Sequence, residues 1–180
     1  ASLYAISMAR EGRGDSIESV IEPIDSAIAQ FGEPMPSDAS PFVIRRGQLL
    51  ANSGKYREAV RDYNQYAYLQ NNKVSAVFLY ERSQIEVNAR MFQQALDDLN
   101  RAVEIVPREP LYHVERAALT LRVGMLDDCI QSCQTAIRLN PNIIDAYRIL
   151  GYAQLQKGDK INARLNIQKA IDMGDETAKT

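Results

Sequence analysis

One column of small residues constrains this chain more than any other feature: Ala59, Ala95, Cys129 and Ala163, separated by 36, 34 and 34 residues. Recurrence at that interval marks a repeat architecture, in which each unit is a supersecondary element unable to bury its apolar face alone. Other columns keep the same register. Small residues stand at Gly47, Ser83, Ala117 and Gly151, where two helices can approach closely. A turn column runs Gly54, Arg90, Gly124 and Gly158, and its glycines can enter the left-handed region without a Cβ penalty. Larger side chains follow at Tyr56, Phe92 and Leu126, with Lys160 in the fourth place.

Four and seven positions beyond the first column come Tyr63, Leu99, Cys133 and Ile167, then Tyr66, Ala102, Ala136 and Ala170. Those offsets share one face of an α-helix. Pro107 and Pro141 close the echoed stretches "NRAVEIVP" and "QTAIRLNP", because the residue before a proline is driven out of helical conformation. Each period is therefore helix, short turn, helix.

This pattern resembles the tetratricopeptide repeat, over residues 40–175. The fourth unit matches best, with Tyr147, Leu150, Gly151, Gly158, Ala163 and Ala170 in the family's places. The resemblance implies an all-α fold, a right-handed superhelical solenoid of stacked antiparallel helix-turn-helix units. Four such units are expected at about 40–73, 76–109, 110–143 and 144–177. Residues 1–34 read as a degenerate N-terminal hairpin, with Leu3, Tyr4 and Met8 on a first helix and "GRGD" as its turn. Its second helix would carry Ile17, Val20, Ile21, Ile24, Ala27, Ile28 and Phe31 on one face. Pro23 should kink that run or mark its true start. The proline-rich "GEPMPSDASP" at residues 32–41 reads as a loop, with residues 35–39 separating the first hairpin from the regular units. Three departures stand out. Asn71 occupies a place where the family prefers proline, Tyr66 replaces a small residue and predicts looser or shifted packing, and Arg90 leaves the shape of its turn open.

Composition excludes several classes. With 46% hydrophobic residues in 180, the chain can bury a real core. The 21 basic and 23 acidic residues are spread without blocks of one sign, so neither nucleic acid nor an anionic membrane surface is an expected partner. No apolar run approaches the roughly 20 residues of a membrane span, which predicts a soluble chain. The first residues lack an export signal, and the chain starts at Ala1, as a processed protein or an excised piece would. The compartment stays open between the cytoplasm and export with the leader removed.

No nucleophile with its base, metal cluster or phosphate-cradling loop is visible, so neither catalysis nor a cofactor is expected. Cys129 and Cys133, four apart on one helix, read as core residues. A zinc site would need two more ligands, and His113 is the single histidine, itself read as a rim or packing residue. Asp97 with Asp98 and Asp127 with Asp128 read as solvated caps at helix starts. Arg13, Gly14 and Asp15 read as a turn and N-cap, with Asp15 and Glu18 forming a capping box.

In the tetratricopeptide family the first helices line a concave surface. Projected onto this chain, that geometry implies a protein-binding groove containing Val77, Tyr80, Gln84, Val114, Ala118, Leu121, Arg148 and Tyr152. Apolar and aromatic side chains with a few amides suit an extended peptide or an amphipathic helix of a partner protein. The same side chains could instead be covered by the chain's own terminal helix or pack within units. A clamp for a chaperone's terminal carboxylate is not expected. The comparable places carry Ile44, Gln48, Glu81, Leu111 and Glu115, and two glutamates repel a carboxylate. The alternative function is structural: Ile161 and Leu165 lie outside the inward residues Ala163, Ile167, Ala170 and Ile171 of the last helix. They would suit end-to-end packing or a homo-oligomer.

Overall fold

The structure, a computed structural model, describes residues 2–177, and these form ten α-helices, one 3-10 turn and no strand. They divide into two compact units, residues 1–91 and 92–180. The first holds α1 (Leu3–Gly12), α2 (Ile17–Ala29), the 3-10 turn Ser37–Ala39, α3 (Ser40–Asn52), α4 (Tyr56–Leu69) and α5 (Ala76–Asn88). The second holds α6 (Phe92–Ile105), α7 (Pro110–Arg122), α8 (Leu126–Leu139), α9 (Ile144–Gln156) and α10 (Lys160–Asp172).

In the first unit each helix packs against the next in sequence. Val20, Ile21 and Ile24 of α2, Leu49 and Leu50 of α3, Val60 and Tyr63 of α4 and Phe78 of α5 share one core. Ile24 is wholly buried, which stabilises the fold by about 1.5–3 kcal/mol relative to an exposed side chain. The helix α2 continues through Pro23 and starts at Ile17, where Ser16 accepts from the Ser19 N–H, so Pro23 does not mark its start. Proline cannot donate to the Ser19 carbonyl four residues earlier. Arg10 of α1 does so instead, its Nη1 lying 2.7 Å from that oxygen and 2.8 Å from Glu22. The proposed capping box is corrected: Ser16 caps the helix, while Asp15 pairs with Arg13 at 2.7 Å and Glu18 with Lys55 at 2.9 Å.

All four turn-column residues are left-handed, Gly54 at φ 81°, Arg90 at 62°, Gly124 at 80° and Gly158 at 85°. Arg90 thus takes the glycine's shape at a steric cost. At the end of α4, Asn71 and Asn72 are both left-handed, at φ 53° and 58°, and the Asn72 N–H reaches back to the Ala67 carbonyl at 2.8 Å. That closure caps the helix and absorbs the extra length in place of a proline. Tyr66 is not loosely packed. Its ring stacks on Phe78 at 5.1 Å between centroids, and Phe78 stacks on Tyr63 at 5.4 Å on its other partner.

The close-approach column is equally concrete. A Cβ on Gly47 would stand 3.0 Å from the Tyr63 ring, and one on Gly151 would stand 2.6 Å from Ile167 Cγ1. In the second unit, α7 packs against α6, α8 and α9, and α9 against α10. Val114, Ala117, Cys129, Cys133, Ala136, Ile149 and Leu150 form its core. On α10, Ala163 and Ala170 are buried, Ile167 and Ile171 are half-buried, and Ile161 and Leu165 remain 77% and 64% exposed.

A polar column also follows the repeat and was not anticipated. Arg46, Arg82 and Arg116 each precede the small residue of their first helix by one position. Arg46 grips Asp62 of α4 with two bonds, at 2.8 and 2.7 Å, and reaches Asp25 of α2 at 2.7 Å. Arg82 donates to Asn64 of α4 at 3.1 Å. Arg116 donates to Ser132 of α8 at 3.0 Å and lies 3.5 Å from Asn100 of α6. Arg46 and Arg116 therefore tie their own hairpin to the preceding helix. The expectation of a solvated Asp98 is corrected by the same geometry: it lies in the interior of α6, three residues beyond Ala95 on its inward face, and is 4% exposed. Asp97 is exposed but also lies inside α6, so it is no cap, whereas Asp127 and Asp128 occupy the first turn of α8 as solvated acids.

Candidate functional site

Of the residues projected onto the binding surface, Val77, Tyr80 and Gln84 lie on α5, whose start is fixed by Ser75 accepting the Phe78 N–H at 3.2 Å. Spacings of three and four put them on one face. Val77 is 57% exposed, and Tyr80 and Gln84 are half-buried. The latter two line a recess of about 360 Å³ together with Glu81 and Ile85 of α5, Arg45, Gln48, Ala51 and Asn52 of α3, and Tyr63 of α4. The structure thus brings Tyr80 and Gln84 together with Gln48 and leaves Val77 outside the lining.

The lining combines polar Arg45, Gln48, Asn52, Glu81 and Gln84 with the buried side chains of Tyr63 and Ile85. Arg45 pairs with Glu11 of α1. Burial first, and the nearby Glu81 carboxylate second, push the Tyr63 phenol up to about 12. Tyr63 is therefore a neutral wall at physiological pH.

In the second unit the projected residues fare differently. Val114 is 7% exposed and packs in the core with Ala117 and Ala146, so its side chain serves stability. The reason is that α7 packs against α6, α8 and α9, and Val114 lies within the core shared with α8 and α9. Ala118 of α7 is exposed, Leu121 is half-buried against the core, and Tyr152 of α9 is half-buried. Arg148 pairs with Asp145 on its own helix, and its Nε lies 2.8 Å from Asp175 beyond α10. Its burial opposes the charge, and the two carboxylates outweigh that effect and raise its pKa. Sequence reasoning missed Asp175, which lies outside every repeated column.

The remaining candidates have structural surroundings. His113 is 4% exposed, with Nε2 2.9 Å from the Pro107 carbonyl, which ties α7 to the loop before it. Cys129 and Cys133 are free and wholly buried. Among the described residues no three His, Cys, Asp or Glu side chains stand where they could share a metal ion. No helix among them is long and apolar enough to cross a membrane.

No family model matches the chain. It is similar to the TPR repeat-containing thioredoxin TTL4 of Arabidopsis thaliana, 24% identical over 121 residues, which are 67% of this chain and 17% of that protein. The chain spans about a third or less of the length of the curated relatives it matches. Among solved structures, MamA superimposes with a TM-score of 0.78 at 20% identity, over 97% of this chain and 98% of MamA. YrrB, described as a TPR protein with an unusual peptide-binding site, has a TM-score of 0.78 at 19% identity, over 97% of this chain and 86% of YrrB. These likenesses establish the fold.

Proposed function

We propose that this chain, whose helical hairpins have the fold of tetratricopeptide repeat proteins, is a non-catalytic scaffold that holds a peptide or helix of a partner protein on its first-helix faces. The observation that carries the reading is the recess on α3, α4 and α5, which Tyr80, Gln84 and Gln48 line together with Tyr63 and Ile85. Aromatic and amide side chains on a preformed surface are the groups that anchor and orient a peptide. In the second unit the reading assigns contact with the partner to exposed Ala118 and half-buried Leu121 and Tyr152, and leaves buried Val114 to packing. The peptide-binding site named for YrrB supports a peptide as ligand class.

The test is affinity capture from the native host by the wild-type chain and by the Tyr80→Ala and Tyr152→Ala variant. The variant is expected to keep its helical circular dichroism and lose the partner. Undiminished capture would place recognition elsewhere. A second reading, self-association, is favoured by Ile161 and Leu165 standing exposed side by side on α10. It predicts a concentration-dependent dimer in sedimentation that Ile161→Lys abolishes, and a monomer at all concentrations removes it.

A further inference from the structure

The recess on α3, α4 and α5 has a charge as well as a shape. Its lining holds one basic group, Arg45, one carboxylate, Glu81, and the phenols of Tyr63 and Tyr80. Arg45 is matched by Glu11 of α1, and the Tyr63 phenol is neutral. Glu81 is exposed and has no ion-pair partner among the described residues. The recess therefore presents one unmatched negative charge. An anionic ligand would meet Glu81 directly and would have to displace Glu11 to reach Arg45.

We propose that this recess is a subsite for a basic side chain, lysine or arginine, of the bound peptide, with the Glu81 carboxylate as its counter-ion. The inference rests on the reading that the α5 face binds a peptide. The ring of Tyr80, one position from Glu81 and lining the same recess, offers the cation an aromatic wall. Gln48 and Asn52 each supply an amide that can both donate to and accept from peptide backbone. The volume of about 360 Å³ suits one side chain with its adjoining backbone. Specificity of this kind works by exclusion too, since an acidic peptide would leave two carboxylates facing each other.

The experiment pans a random dodecapeptide display library against the full chain, against Tyr80→Ala and against Glu81→Gln, with folding of each checked by circular dichroism. Glu81 is exposed, so its amide variant keeps the fold. The expected result is an enriched set with a lysine or arginine at one fixed position, lost from both variants. Synthetic copies carrying norleucine at that position should bind the wild type about fivefold more weakly, and Glu81→Gln should not distinguish the two peptides. Enriched peptides that require Tyr80 but carry an acidic or neutral consensus overturn the basic subsite and leave the peptide-binding face standing. Enrichment indifferent to Tyr80→Ala, or none at all, overturns the peptide-binding face and the subsite with it.

Discussion

Removing Arg46 should destabilise the first unit far more than removing its outer partner. Arg46 makes two bonds to Asp62, whose side chain is 7% exposed, and one to Asp25, whose side chain is 54% exposed. In Arg46→Ala the Asp62 carboxylate stays in place with neither guanidinium bond. Breaking a buried pair from one side costs about 3–5 kcal/mol. The Arg46 side chain is itself 27% exposed, so water can enter behind it and the cost falls to about 2–3 kcal/mol. Asp25→Ala removes only a solvated contact, worth about 0–1 kcal/mol. Arg46→Met retains the packed stem and isolates the charge from the lost alkyl contacts. Adding Asp62→Ala to Arg46→Ala should recover part of the loss, because the stranded carboxylate is then gone.

The assay is urea unfolding by circular dichroism, joined to hydrogen exchange at the α3 and α4 amides, since repeat arrays need not unfold in one step. Loss of protection should concentrate in those helices. If Arg46→Ala proves no more destabilised than Asp25→Ala, or if the double variant is as unstable as the two single losses combined, Arg46 is not the clip described.

Three further outcomes follow from local geometry. Arg90→Gly removes a left-handed conformation costing about 1–2 kcal/mol while loosening the unfolded chain by somewhat less, so the midpoint in urea should rise by about 0.5–1 kcal/mol equivalent. The Cys129 sulfur beside it and then burial push the Cys133 thiol far above its usual range. Cys129 shifts the other way, lowered by the hydrogen bond with Cys133, but both side chains are wholly buried, so both should resist a thiol-reactive dye in the native state and react only in denaturant. The hydrogen bond from Lys55 holds the Glu18 carboxyl below its ordinary value, so its contribution is present above the ordinary carboxylate pKa and fades as pH falls through the lowered one. Carboxyl NMR titration should show that midpoint rising in Lys55→Met and in high salt.

The hairpins were legible because their causes are local. A small residue at every close approach and a left-handed residue at every turn leave columns that can be counted, and Gly47, Gly151 and Arg90 meet those demands in the structure. What escaped notice depended on partners outside the aligned columns. Tyr66 was expected to loosen or shift the packing of its unit, and the Phe78 ring that receives it belongs to the following helix. Pro23 was expected to kink α2 or mark its start; the helix begins at Ile17 instead, and the carbonyl that Pro23 strands is satisfied by Arg10 from α1. The arginines at 46, 82 and 116 repeat at 36 and 34 residues, the period already in hand. They were overlooked because charged residues are ordinarily read as solvated.

The binding surface was less legible for a related reason. Helical spacing says which residues share a face, but not how many neighbours that face meets. Val114 and Tyr80 occupy comparable projected faces, yet packing of α7 on three helices buries the first and a recess beside α3 and α4 keeps the second accessible. Charge is the part that sequence and structure read in the same direction. Glu81 first argued against a carboxylate clamp from its position alone. With Arg45 already paired to Glu11, the same side chain is the recess's one unmatched ionised group, so what repels an acidic tail is also what a basic one would seek.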